Sequence, residues 1–327
     1  MNIKDCGEFG FIDLIKDNTI YEPKTVVYGI GDDCAVYKAQ PHMEQLITTD
    51  MMVEGIHFSK QTTTPFHVGF RLGAANISDI AAMGGTPLEA VISIALPPEM
   101  ELSYIQDIFQ GLKTILKKYK VNLIGGDTVS TTGPLVLNVT LIGQVPSGQA
   151  IYRHGAQVGD IVFVTHTVGS AAAGLYALTH DLLHYEEIKK AHQMPIPQVE
   201  IGQALNDCGC HSLNDISDGL SSELNEIAKA SHVELVIEEK QIPLHNETQL
   251  LSAKALLNPY EFAWFGGEDF QLVGTMSEES YIHCTLKEYI KPIGYVKEAH
   301  PVGTVTVHTA QGRTVTMDAR GYNHFTK

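Results

Sequence analysis

"LNDISDGLSSEL", residues 213–224, carries two aspartates three positions apart, Asp215 and Asp218, followed at once by Gly219. Beyond them Leu220, Leu224, Ile227 and Ala228 recur at the spacing of one helix face. The pattern predicts a Gly-containing turn that feeds a helix. One capping side chain is enough to start such a helix, and Ser217 or Asp218 would serve. Asp215 is therefore surplus to capping, and its place one turn upstream asks for another reason.

The rest of the chain repeats this alternation of apolar runs, Gly-rich turns and amphipathic stretches. Strands are expected at "TVVYGI", "CAVY", "QLITTDMMV", "AVISIALP", "VNLIGGD" and "PLVLNVTLIGQV" in the first half. "PFHVGFRLGAANISDIAAM" reads as a helix stopped by Gly84, Gly85 and Pro87. Ile105, Ile108, Phe109, Leu112, Ile115 and Leu116 mark a second, strongly amphipathic one. The polar, Gly- and Pro-containing stretch "VPSGQAIYRHGAQVGD" is the expected boundary. After it come the strand "DIVFVT", the small-residue helix "SAAAGLYALTH", and helices near 198–206 and 219–230. Strands "ELVIEE", "FQLVGTM" and "IKPIGYV" and a hairpin in "TVTVHTAQGRTVTM" follow. The expectation is two consecutive mixed α/β domains, residues 1–145 and 146–327.

Composition narrows the function. The chain has 327 residues, 44% hydrophobic and 18% charged, as a globular protein with a substantial core does. Lys and Arg number 22 against 38 Asp and Glu, a formal charge of −16. That balance argues against nucleic acid, whose affinity comes largely from phosphate neutralisation by basic residues. It allows small phosphorylated ligands if divalent cations stand between the negative partners. The N-terminal "MNIKDCGEFGFIDLIKD" mixes charges among its apolar residues and predicts neither a signal peptide nor a membrane anchor. Five scattered cysteines lack zinc or CxxC spacing and read as reduced thiols, so a cytoplasmic protein is expected.

Six acids punctuate the apolar elements. They are Asp33 in "GIGDDCAVY", Asp50 ending "LITTD", Asp79 in "NISDIAAM", Asp127 in "LIGGDTVS", and the pair Asp215 and Asp218. Singly, each reads as a turn former or a cap. Asp79 resists that reading, because Asp is a poor helix-interior residue. Together they would repel one another unless cations lay between them. Carboxylate oxygens without soft ligands suit Mg²⁺, with phosphate oxygens completing its octahedron. No GxxxxGK[ST] is present, and "GIGDDC" has Cys34 where a dinucleotide fingerprint needs its third glycine. "VGSAAAGL" offers either a helix N-terminus to an anion or a closely packed helix. Arg153 reads as a phosphate contact or a solvated surface residue.

In order along the chain, "GIGDDCA", "TTDMMVEGIHF", "NISDIAAMGG", "LIGGDT", "DISDGL", "GGEDFQL" and "GYNHF" resemble the thiamine-monophosphate kinase family. That family sits in a superfamily with aminoimidazole ribonucleotide synthetase, selenophosphate synthetase and an ATP-using hydrogenase maturation factor. The resemblance implies an N-terminal domain whose sheet pairs with a second copy in a homodimer, and a C-terminal domain with helices on a mixed sheet. It implies transfer of the γ-phosphoryl group of ATP to thiamine monophosphate, assisted by several Mg²⁺ ions. By motif, Asp33, Thr48, Thr49, Asp50, Asp79, Asp127, Asp215 and Asp218 are implied as the metal shell, with Asp50, Asp127 and Asp218 catalytic. Tyr119, Gly126, Asp127, Arg153 and Ser217 are implied on the ATP side; His57, Glu268 and Tyr322 on the thiamine monophosphate side. Within the superfamily, a selenophosphate synthetase would need a reactive Cys in a Gly-rich N-terminal segment, which Cys6 in "DCGEFG" matches poorly. The hydrogenase maturation factor would end in a modifiable cysteine, where this chain ends "GYNHFTK". The same acids would also suit a non-catalytic metal or nucleotide binder.

Overall fold

The computed structural model describes residues 15–30, 35–299 and 303–322. Asp33 lies outside the described residues. The chain divides into two compact units, residues 1–80 with 86–148, and residues 81–85 with 149–327.

The first unit begins with a short ribbon of β1 (Val26–Tyr28) and β2 (Val36–Tyr37). Then come β3 (Met43–Val53), α1 (Pro65–Ala82), β4 (Thr86–Leu96), α2 (Leu102–Lys118), β5 (Asn122–Ser130) and β6 (Val136–Pro146). They build a four-stranded sheet in the order β3-β6-β4-β5, antiparallel except for the parallel pair β4 and β5. Alternation makes the sheet one-sided: Leu137, Val139 and Leu141 are buried, while Ile47 and Met51 of the edge strand β3 are exposed. The periodic stripe of α2 is buried along its whole length, from Ile105 to Leu116. Each such side chain contributes about 1.5–3 kcal/mol over an exposed position. The two helices cross with their backbones in contact. A Cβ at Gly69 would stand 1.8 Å from the Ile108 carbonyl oxygen, and one at Gly111 1.8 Å from that of Phe66. Only glycine permits that approach.

The second unit contains β7 (Ile161–Thr165), α3 (Ser170–Thr179), α4 (Glu186–Gln193), α5 (Val199–Asp207), β8 (Cys210–Asp215) and α6 (Leu220–Ser231). It continues with β9 (Glu234–Glu238), α7 (Asn246–Ala255), α8 (Pro259–Phe265), β10 (Leu272–Met276) and α9 (Glu278–His283). It closes with β11 (Ile290–Lys297), β12 (Thr304–His308) and β13 (Thr314–Thr316). The seven-stranded sheet has the order β13-β12-β9-β11-β7-β10-β8, antiparallel except for β12 beside β9. Both faces are covered, which explains why "DIVFVT" is apolar without alternation. Val162 and Val164 enter a core with Leu220, Leu224, Ile227 and Trp264, whereas Phe163 enters another with Ile201, Leu205 and Met276.

Two local expectations are corrected. Strand β8 and helices α4, α7, α8 and α9 have no counterpart in the sequence reading. Cys208 and Cys284 form a disulfide, their Cα atoms 5.3 Å apart, so the reduced-thiol expectation fails for this pair while Cys210 is free. A separation of 76 residues hid the pairing, and folding brings the two Cα atoms into bonding range.

Candidate active site

In the first unit, β3 and α1 bring three of the expected donors to one side of the sheet. Thr48 Oγ1 donates to Asp79 Oδ2. One helical turn earlier, Asn76 Oδ1 accepts from the backbone N–H of Asp50 at 3.2 Å. Asp79 thus has a reason to interrupt an apolar helix: it faces the polar positions of β3. Thr49 points the other way. Its hydroxyl meets Asn138, the Val139 carbonyl and Thr140 on β6.

Asp127 also lies on that opposite face. Strand pairing aligns Met51, Asn138, Ser93 and Asp127 across the sheet, next to a row of Asp50, Val139, Ile92 and Gly126. Alternation therefore sends the Asp50 and Asp127 side chains to opposite faces. Asp127 is exposed and accepts from the N–H of Thr128 at 2.9 Å. Gly126, also exposed, lies within β5 rather than in a turn. Among the described residues, no three His, Cys, Asp or Glu side chains form a metal-holding group. The donors are nonetheless all hard oxygens, which fits Mg²⁺ bound by one or two carboxylates with phosphate oxygens and water in its other positions.

His57 follows β3. Its Nδ1 accepts from the Val53 N–H at 3.0 Å, which puts the ring proton on Nε2, and its carbonyl accepts from Arg71 at 3.1 Å. Tyr119 caps the C-terminus of α2, buried, with the Lys118 ammonium 5.1 Å from its ring centre.

In the second unit, the "DISD" segment joins β8 to α6. Asp215 is buried at the strand end, paired with Leu272. The helix is not capped as the sequence suggested. Its N-cap is Gly219 at φ 104°, with no capping side chain. Glu223, one turn into the helix and 4% exposed, reaches back instead and accepts from the Asp218 N–H at 3.2 Å and from Ser217 Oγ at 3.5 Å. Neither Ser217 nor Asp218 supplies a capping side chain to this helix. Burial pushes the Glu223 carboxyl up to about 7 against the pull of the Asp218 N–H. Its other oxygen accepts from Asn214 Nδ2, whose Oδ1 accepts from Arg153 Nε at 3.0 Å. Sequence reasoning missed Glu223 and Asn214; the E of "SSEL" was the available signal.

Backbone from two later motifs closes on this turn. Glu268 N donates to the Ser217 carbonyl at 2.7 Å and Phe270 N to that of Ile216 at 3.0 Å. A Cβ at Gly267 would stand 2.2 Å from the Ser217 carbonyl oxygen. Tyr322 N donates to the Asp218 carbonyl at 3.2 Å, with its own side chain exposed. Glu268 adopts φ 64°, left-handed for a non-glycine residue, and its Oε2 lies 3.8 Å from Nδ1 of the buried His192. The structure thus brings Arg153, Ser217, Asp218, Glu268 and Tyr322 to one region of this unit. It also answers the question raised by "VGSAAAGL". The group at that helix N-terminus is Asp269, whose carboxyl oxygens accept from the N–H groups of Gly169 and Ala171.

Residues 31–145 match the AIR synthase related protein N-terminal domain and residues 157–312 the C-terminal domain of the same family. The chain is 40% identical to the thiamine-monophosphate kinase of Bacillus subtilis (strain 168), over 97% of this chain and 99% of that one. Among solved structures, thiamine-monophosphate kinase from Stenotrophomonas maltophilia K279a superposes with a TM-score of 0.82 at 30% identity, covering 92% of this chain and 96% of that one. AaThiL complexed with AMPPCP and TMP superposes with a TM-score of 0.79 at 31% identity, covering 99% of each chain. With near-complete coverage of a relative at this identity, and the same fold, the chain belongs to the thiamine-monophosphate kinase family.

Proposed function

We propose that the protein transfers the γ-phosphoryl group of ATP to thiamine monophosphate, giving ADP and thiamine diphosphate. A terminal phosphate oxygen of the acceptor bonds to the γ-phosphorus as the bond from that phosphorus to the ADP oxygen breaks. The observation that carries the reading is the similarity, over 99% of each chain, to a structure that holds an ATP analogue together with TMP. The local chemistry agrees. Transfer of this kind asks for positioning and charge neutralisation rather than covalent chemistry, and the candidate side chains are carboxylates and hydroxyls with one arginine and one histidine.

Asp50, Asp79 and Thr48 on one face of the first sheet, Asp127 on the other, and Asp215 and Asp218 in the second unit are the residues that would hold Mg²⁺. Thr49 and Asp33 join them by motif. Bound Mg²⁺ would neutralise the phosphate charge that an acidic chain cannot. Of these, Asp50, Asp127 and Asp218 act at the reacting phosphates. Gly126, Arg153, Ser217 and Tyr119 serve the nucleotide. His57, with its proton on Nε2, donates to the acceptor phosphate; Glu268 and Tyr322 serve the thiamine part. Residues 1–145 are read as the ATP, metal and dimerisation domain. The homodimer is supported by the eleven-residue edge strand β3 with its exposed Ile47 and Met51. No helix among the described residues is long and apolar enough to cross a membrane, which suits the cytoplasmic placement proposed here.

The test is product analysis. With ATP, Mg²⁺ and thiamine monophosphate, ADP and thiamine diphosphate should appear in equal amounts, and chelation should abolish both. Nucleotide binding without turnover would favour the non-catalytic alternative. Light scattering should give twice the chain mass at micromolar concentration.

A further inference from the structure

We propose that Glu223 is a positioning residue for the nucleotide, acting through Asn214 to fix the guanidinium of Arg153. This rests on the kinase reading above. The polarity of the relay is set from both ends. Arginine nitrogens only donate, so Asn214 must present Oδ1 to Arg153 Nε, 3.0 Å away. Its Nδ2 then faces Glu223 Oε2, which must accept. A carboxyl group, unlike an amide, satisfies that demand while its second oxygen still accepts from the Asp218 N–H at 3.2 Å. Asn214 and Glu223 are 3% and 4% exposed, so water cannot readily take over either bond. Arg153, by contrast, is exposed. A long surface side chain has much rotamer freedom, and anchoring it at Nε leaves the two terminal nitrogens directed rather than wandering. One buried acid thus orders two residues assigned to the nucleotide, Arg153 and Ser217, together with the backbone of Asp218.

Glu223→Gln tests the relay with almost no change of shape. Its amide has one acceptor where the site needs two. Either it meets Asn214 donor to donor and turns that amide away from Arg153, or it gives up the Asp218 N–H. The affinity of the Mg²⁺ complex of AMPPCP and the KM values for ATP and thiamine monophosphate are measured on the full chain. Variants are E223Q, R153A, R153K and the double variant E223Q/R153A. Nucleotide affinity should fall about tenfold in each single variant, with the KM for thiamine monophosphate within twofold of wild type. The double variant should lose less than the sum of its parents' losses, since both cut the chain of contacts through Asn214, and any loss beyond that of R153A reports the Ser217 branch. R153K, an exposed change that leaves folding alone, should be as impaired as R153A because lysine lacks the Nε–H. Wild-type affinity in R153K, additive losses in the double variant, or an unaffected E223Q would overturn the relay. If the wild-type chain binds AMPPCP but forms no thiamine diphosphate, the kinase reading fails and the affinities still decide the relay. If it binds no nucleotide, both fall.

Discussion

Gly267→Ala adds one methyl group where the backbone of "GGED" passes the turn that carries Ser217 and Asp218. The new Cβ would stand 2.2 Å from the Ser217 carbonyl oxygen, 3.2 Å from its carbon and 3.3 Å from the Asp218 Cα. Ordinary contact begins near 3.4 Å, so the oxygen and the Cβ must separate by 3.4 − 2.2 = 1.2 Å. The obstacle is backbone, not the end of a flexible side chain. The two segments are also tied, by Glu268 N to the Ser217 carbonyl at 2.7 Å and by Phe270 N to the Ile216 carbonyl at 3.0 Å. Relief therefore displaces the Ser217–Asp218 turn, or Glu268, by about an ångström. A displacement of that size at reacting groups costs on the order of a hundredfold in rate. Overpacking should cost about 1–3 kcal/mol of stability as well, which leaves a folded protein to assay. Thiamine diphosphate formation and thermal unfolding would be followed together. Gly133→Ala serves as the control, because its nearest neighbour to a Cβ is 3.5 Å away. A folded Gly267→Ala protein whose kcat stays within about threefold of wild type would refute the view that this turn positions the chemistry.

Asp127→Asn keeps the shape but removes the charge that, on the proposed reading, would balance a metal; kcat should fall on the order of a hundredfold and the Mg²⁺ requirement rise. Wild-type kcat at ordinary Mg²⁺ would remove Asp127 from the metal shell. Glu268→Gln should raise the KM for thiamine monophosphate and leave that for ATP nearly unchanged, and an equal rise in both would contradict the division of the pocket. Burial pushes the Asp269 carboxyl from the ordinary 3.8 up to about 7, even though helix N–H groups pull it down. The folded chain then keeps this proton to higher pH than the unfolded chain. Asp269's contribution to stability is greatest at low pH and is lost as pH rises towards 7, by up to about 1.4 kcal/mol per pH unit. Asp269→Asn should flatten the slope of unfolding free energy between those values; an unchanged slope would show that the group does not titrate there.

The fold was legible where burial is periodic. The stripe from Ile105 to Leu116 and the run "DIVFVT" depend only on which faces are covered, and both declare it in their residues. Strand β8 was not legible because three of its four buried residues, Ser212, Asn214 and Asp215, are polar. Ser212 is hidden by a 2.9 Å bond to Thr275, and Asn214 by Glu223. Such pairs are chosen by tertiary neighbours and leave no periodicity. The site divides the same way. Asp79 stood out because no local role suits an aspartate inside an apolar helix, and the structure gives it Thr48 as a partner. Asp215 stood out as surplus to capping. The actual reason, that Glu223 reaches back and Gly219 begins the helix, depends on a buried acid that reads as an ordinary helix-surface glutamate. The distribution of Asp50 and Asp127 over two faces follows from strand register, which no single motif encodes.

The most direct test of the central claim offers thiamine monophosphate and thiamine side by side, with ATP and Mg²⁺, and separates the products. The account predicts thiamine diphosphate and ADP from the first and no phosphorylation of the second, because on the proposed reading the acceptor's own phosphate would complete the coordination of the metals. Equal turnover of both acceptors, or ADP released without thiamine diphosphate, would contradict it.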